Sequence, residues 1–226
     1  EYQKLSRERF GTTGNKPDDE LATDFVHGRL SVPVSRLYIA RHVPEEAKQE
    51  VTQIIRDTVS CYKKMLEGED WLSEATRKKA VEKLDAMRLN AAYPDKWHDY
   101  SELELDSEGS LTDALNALRR FSIQKFFYDR LNTKVDHDLW ISDVVVVNSY
   151  YRPSENSINI IAGILGGDFY EPGMSYEEKL GGIGMVIGHE ISHAFDTNGA
   201  QFDATGNVAK WWTDEDYKAF QARADR

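Results

Sequence analysis

Apolar residues recur at Ala47, Val51, Ile54, Ile55, Val59, Tyr62, Met65 and Leu66, a three-and-four spacing kept up from Pro44 to Gly68. Only an α-helix brings such positions onto one stripe, so this long segment has to lay that face against another layer. Pro44 suits a first helical position, Glu45 and Glu46 a helix N-terminus, and Gly68 a stop. A second helix is predicted from Ser73 through Ala80, Val81, Leu84 and Met87, with Arg77-Lys78-Lys79 on its solvated face. A third follows Ser110 through Leu111, Leu118, Phe121, Phe126 and Leu131, its aromatics read as core. Asp18-Asp19-Glu20 begins another within an opening stretch broken by Gly11, Gly14 and Pro17, and Tyr93-Pro94-Asp95-Lys96 reads as a turn.

Past Trp140 the period changes. Val144-Val145-Val146-Val147 is continuous and β-branched, and Asn148-Ser149-Tyr150-Tyr151 extends it. Arg152-Pro153-Ser154-Glu155-Asn156 is turn material, and Ser157-Ile158-Asn159-Ile160-Ile161 reads as a returning strand, so a hairpin is expected. After a Gly-rich loop, Gly163 to Gly173, another helix starts near Ser175 or Tyr176. The fold class is therefore α+β and mainly α: a helical region over 1–137, then a piece over 138–226 with a small sheet.

Composition excludes several roles. With 28 basic and 39 acidic residues the formal net charge is −11, and no basic stripe offers a nucleic-acid footprint. No apolar run approaches the ~20 residues of a membrane span. One cysteine, Cys61, allows no internal disulfide; its place in the helical pattern predicts inert packing. The first residue is Glu1 and the polar end Gln221–Arg226 stops within a helix-like stretch, so both ends read as cuts.

The chemistry concentrates in Gly184-Met185-Val186-Ile187-Gly188-His189-Glu190-Ile191-Ser192-His193-Ala194-Phe195-Asp196. In H-E-x-x-H on a helix, residues four apart stack, so His189 and His193 can meet one ion, and two neutral imidazoles suit zinc. Glu190, beside that face, can take a proton from a water that the ion has acidified. The apolar turn Met185-Val186-Ile187 predicts a buried helix, in which histidines need partners. Asp196, three residues past His193 and on the same helical face, can accept the second ring N–H of a ligating histidine.

On these residues the chain resembles the neprilysin family of zinc metallopeptidases, which includes endothelin-converting enzymes and bacterial oligopeptidase O. Ser35-Arg36-Leu37-Tyr38, Tyr93-Pro94-Asp95-Lys96-Trp97, Val147-Asn148-Ser149-Tyr150-Tyr151, Ala162-Gly163-Ile164-Leu165, Gly181 through Asp196, and Phe202-Asp203 with Trp211-Trp212 match in family order. The resemblance implies a zincin-like catalytic piece over 138–226 and a helical region facing the active-site cavity over 1–137. It implies His189 and His193 as the first two zinc ligands, Glu190 as catalytic base and Asp196 behind a ligand. Asn148 would hydrogen-bond the substrate backbone from an edge strand, as would the main chain of Ser149. Phe169, Val186 and Met185 would line the pocket for the side chain after the cleaved bond. The implied substrates are oligopeptides.

Departures narrow this reading. Ile160-Ile161 stands where the family has Phe-Pro, Gly166-Gly167-Asp168 where a Pro-rich stretch is usual, and Ala22 where animal members often place cysteine. These favour a bacterial relative, cytoplasmic or exported, over the extracellular domain of a membrane-anchored parent. The family's third ligand, a glutamate in E-x-x-x-D well past the second histidine, is not matched within the 33 residues after His193. The expectation is the central segment of a larger enzyme, inactive alone, whose C-terminal remainder supplies that ligand. Asp196 and Gly199 stand where a metzincin needs Gly and His, which excludes that class. The alternatives are a self-sufficient short zincin with Asp203 or Glu215 as third ligand, or a non-catalytic peptide-binding fragment.

Overall fold

A computed structural model describes residues 2–11, 14, 16–140 and 143–224. Glu1 and Asp225-Arg226, where the ends read as cuts, lie outside the described residues. The elements in chain order are α1 (Tyr2–Phe10), α2 (Asp18–His27), α3 (Ser31–His42), α4 (Glu45–Gly68), α5 (Glu74–Asp85), β1 (Arg88–Ala92), α6 (Leu111–Phe126), β2 (Ser149–Arg152), β3 (Ser157–Ile161), α7 (Tyr176–Lys179), α8 (Met185–Ser192) and α9 (Asp214–Ala224). The architecture is α+β, mainly helical, around one three-stranded sheet of order β1-β3-β2.

β2 and β3 form the expected antiparallel hairpin, with Ser149 opposite Ile160 and Arg152 opposite Ser157. The third strand comes from the helical half: β1 runs parallel to β3, with Arg88 opposite Ser157 and Ala92 opposite Ile161. The stripe of α4 lies beneath both the sheet and α8. Val51, Ile54, Ile55, Leu84, Ile158, Ile160, Ile183, Ile187 and Ile191 are all 2% exposed or less and form one cluster. Each such side chain contributes about 1.5–3 kcal/mol by leaving water, which fixes α8 against the sheet.

Serine caps set the helix starts. Ser73 accepts from the Thr76 N–H, and Ser110 and Ser175 each form a reciprocal capping box, with Asp113 and Glu178.

Three expectations need correction. Val144–Val147 does not continue the strand. Asp143 Oδ1 accepts from the Val145 N–H and the Ser35 hydroxyl, turning the chain at that point. The segment then crosses the backbone at Gly163, where a Cβ would lie 2.2 Å from the Val146 carbonyl oxygen. Cys61 is exposed, because beyond Val59 one side of the α4 stripe leaves the packed layer. The third helix ends at Phe126, not Leu131, and its aromatics are half-buried: Phe121 and Phe126 cluster with Tyr100 at ring separations of 5.4–5.8 Å.

α5 and α9 are joined at their N-termini by one buried carboxylate. Asp216 accepts from the Ser73 N–H at 3.0 Å and from the Ser73 and Thr76 hydroxyls at 2.5 Å. Burial alone would raise its pKa; the bonds from Ser73, Thr76 and Thr213 outweigh it and bring the value down to about 2. A folded-state value below the unfolded ~3.9 adds stability that is complete above pH ~4 and is lost as pH falls toward 2. At about 1.4 kcal/mol per unit this amounts to at most about 2.6 kcal/mol. Asp216→Asn is therefore expected to lower unfolding free energy by about 2 kcal/mol at pH 7 and to flatten the acid limb below pH 4. Urea titrations of parent and variant at pH 7 and pH 3 check both statements; equal midpoints at pH 7 would disprove the clamp.

Candidate active site

The helix carrying the motif starts at the Ser175 cap, passes through one π-helical turn over Leu180–Gly184, and continues as α8. Such turns re-aim the residues that follow them. The inner side of α8 holds Ile187 and Ile191 in the core, and Tyr62 donates its hydroxyl to the Gly188 carbonyl at 2.8 Å. The helix is thus buried on one side only: His189 is exposed, His193 half-buried, and Met185 is 65% exposed, against the expectation that its turn is buried.

His189 and His193 converge. Their Nε2 atoms lie 3.1 Å apart, with ring centroids at 4.6 Å. Two nitrogens at ~2.0–2.1 Å from a tetrahedral ion are roughly 3.3 Å apart, so the pair fits a zinc ion with little adjustment. Behind it, His193 Nδ1 lies 2.7 Å from Asp196 Oδ2. A carboxylate only accepts, so Nδ1 carries a proton, which leaves Nε2, on the side of His189, as the atom that can meet an ion.

Asp196 makes this contact from outside the helix, a correction to its expected place on the helical face. α8 ends at Ser192 and the chain turns. Asp196 Oδ1 accepts from the N–H groups of Asn198 and Gly199 at 2.9 and 2.7 Å. The turn folds so tightly that a Cβ on Gly199 would lie 1.8 Å from the His193 carbonyl oxygen. Burial pushes the Asp196 pKa up, but the bonds from Gly199, His193 and Asn198 prevail and hold it below the usual range.

Glu190 is 6% exposed, and its Oε1 accepts from the Ser149 hydroxyl at 2.6 Å. This bond ties the motif helix to β2. Sequence reasoning took only the Ser149 main chain into account; the pairing of a strand hydroxyl with a motif carboxylate needs the tertiary structure. Asn148 is exposed immediately before β2, a strand whose outer edge is open among the described residues. The Phe169 carbonyl accepts from the Ile183 N–H at 2.8 Å, bringing that loop against the π-helical turn. The Phe169 side chain is 37% exposed and Val186 is partly buried against the core.

Among the described residues no cluster of three or more His, Cys, Asp or Glu is arranged to hold an ion. Asp203 Oδ1 is engaged by Thr205 and the Asn207 N–H, and Glu215 is exposed on α9.

Sequence reasoning missed Lys83. It sits on the buried face of α5 with Thr76, Ala80 and Leu84, and is 1% exposed. Burial lowers its pKa to about 8, against the opposing pull of Asp203 and Asp196. A lysine one residue before Leu84 and three after Ala80, on an otherwise apolar stripe, was the available signal.

Two models of Peptidase family M13 match the chain, one over residues 1–94 and one over residues 148–226. The chain belongs to this family. It is similar to a neutral endopeptidase of Lactococcus lactis, 39% identical over 201 residues, which are 88% of this chain and 32% of the relative. It is also similar to Neprilysin-1 of Trittame loki, 33% identical over 98% of this chain and 32% of the relative. Among solved structures, PepO from Lactobacillus rhamnosis matches with a TM-score of 0.87 and 32% identity, over 97% of this chain and 35% of that one. The zinc metalloprotease Zmp1 of Mycobacterium tuberculosis, solved with an inhibitor, matches at 0.82 and 32% over 94% and 32%. The chain therefore spans about a third of the length of these relatives. No helix among the described residues is long and apolar enough to cross a membrane.

Proposed function

We propose that this chain is the central segment of a zinc endopeptidase hydrolysing oligopeptides. The observation that carries the reading is the convergence of the His189 and His193 Nε2 atoms at 3.1 Å with Asp196 fixed behind one of them. When bound, zinc supplies a Lewis acid that polarises the scissile carbonyl and acidifies water. Glu190 takes the proton of the attacking water and returns it to the leaving amine. The substrate backbone adds to the open edge of β2, where Asn148 and the main chain of Ser149 meet it, and Phe169, Met185 and Val186 form the apolar subsite beyond the cleaved bond. Residues 1–137 face the cavity and 138–226 form the first part of the catalytic piece. The third ligand comes from the C-terminal remainder of the enzyme.

The test uses the complete protein and residues 1–226 alone, each with a quenched fluorescent peptide, with added zinc or with chelator. The complete protein is expected to cleave internal bonds in a chelator-sensitive way, and residues 1–226 to be inert. Chelator-resistant cleavage by the complete protein would refute zinc catalysis. Chelator-sensitive turnover by residues 1–226 would make Asp203 or Glu215 the third ligand. Peptide binding without cleavage by the complete protein would leave a binding module.

A further inference from the structure

We propose that Lys83 is a positioning residue for the metal-binding histidines, acting through the turn that carries Asp196; this rests on the zinc reading above. Lys83 Nζ donates to the carbonyls of Ala194, Gly199 and Phe202 at 2.8, 2.7 and 2.6 Å. An ammonium has three N–H donors, and all three are spent on one short stretch of backbone on either side of Asp196. Two of those carbonyls belong to the residue that follows His193 and to Gly199, whose N–H holds Asp196 Oδ1.

The lysine is also tied from behind. Its own carbonyl accepts from Asn156 Nδ2 at 2.8 Å, and the same amide reaches the Ala204 carbonyl at 3.0 Å. Asn156 stands at the β2–β3 turn and accepts the Tyr151 hydroxyl at 2.7 Å. One residue therefore links α5, the hairpin that ends in the open strand and the Asp196 turn.

Among the described residues Lys83 makes no ion pair; carbonyl dipoles and the rings of Tyr151, Phe195 and Trp211, at 5.6–6.0 Å, surround its charge. An apolar side chain at this buried place would avoid the desolvation cost. What the ammonium supplies and an apolar group cannot is simultaneous fixation of three carbonyls.

If Lys83 acts through Asp196, its removal should matter only while Asp196 can hold His193. The experiment is a double-mutant cycle on the metal-free complete protein, reading zinc affinity by competition with a chromophoric chelator. Lys83→Met is expected to weaken zinc binding 10- to 100-fold, the range for an outer partner of a ligand. In an Asp196→Asn background the same change is expected to cost less than threefold, while the melting temperature of the metal-free protein drops equally in both backgrounds. An equal loss of affinity in both backgrounds, or no loss, overturns the proposal. Should Lys83→Met fail to fold, Lys83→Arg keeps the charge but cannot bring three carbonyls to one nitrogen, and the same cycle and criteria apply. A parent protein that holds no zinc overturns the proposed function and this inference with it; a zinc-holding parent with uncoupled Lys83 overturns the inference alone.

Discussion

Glu190→Gln is expected to retain zinc and bind peptide as the parent does, while turnover falls by roughly 10²–10⁴-fold, the range for removing a general base. The substitution is nearly isosteric at a residue only 6% exposed, so packing changes little. The Ser149 hydroxyl donates to Oε1 at 2.6 Å, and a glutamine oxygen accepts that bond equally well. What disappears is the capacity to accept a proton from water and hand it to the leaving amine. His189 and His193 keep their ring nitrogens, so metal content is the internal control. Measured kcat within a few-fold of the parent, at equal zinc content, would remove Glu190 from the mechanism.

The helical half of this arrangement was legible because its signals are local. The α4 stripe, the helix starts near Ser73, Ser110 and Ser175 and the Gly68 stop are each set within a turn or two, and the structure realises the three starts, the stop and the stripe as far as Val59. β1 was not legible: Arg88-Leu89-Asn90-Ala91-Ala92 has no β-branched residue and only a four-residue polar–apolar alternation, and becomes a strand because β3 is there to pair with it. Val144–Val147 failed in the opposite sense. A β-branched run states a preference, but Asp143 and the close crossing at Gly163 decide where the backbone goes.

At the site, spacing was enough to bring His189 and His193 together, since a helix makes residues four apart neighbours. Asp196 reaches His193 although the helix has already ended. The contact that spacing suggested is made by a turn held by Asn198, Gly199 and Lys83, and none of those three supports could be read from the motif.

His189→Ala and His193→Ala are each expected to abolish zinc retention in the complete protein. In the proposed centre the two rings are two of three protein ligands, and a catalytic zinc held by one fewer loses a covalent-grade bond that water replaces poorly. The loss should exceed the 10–100-fold typical of an outer partner, so Asp196→Asn should fall between parent and either alanine variant. The fold should survive, because His189 is exposed and the core contacts of α8 run through Ile187 and Ile191 on its other side. Melting of the metal-free proteins should therefore agree within a few degrees, while zinc per chain after dialysis against chelator drops from near one to background. Near-stoichiometric zinc in the double variant would show that the ion sits elsewhere. A ranking in which Asp196→Asn loses more zinc than His193→Ala would mean that the carboxylate contacts the metal directly rather than through the ring.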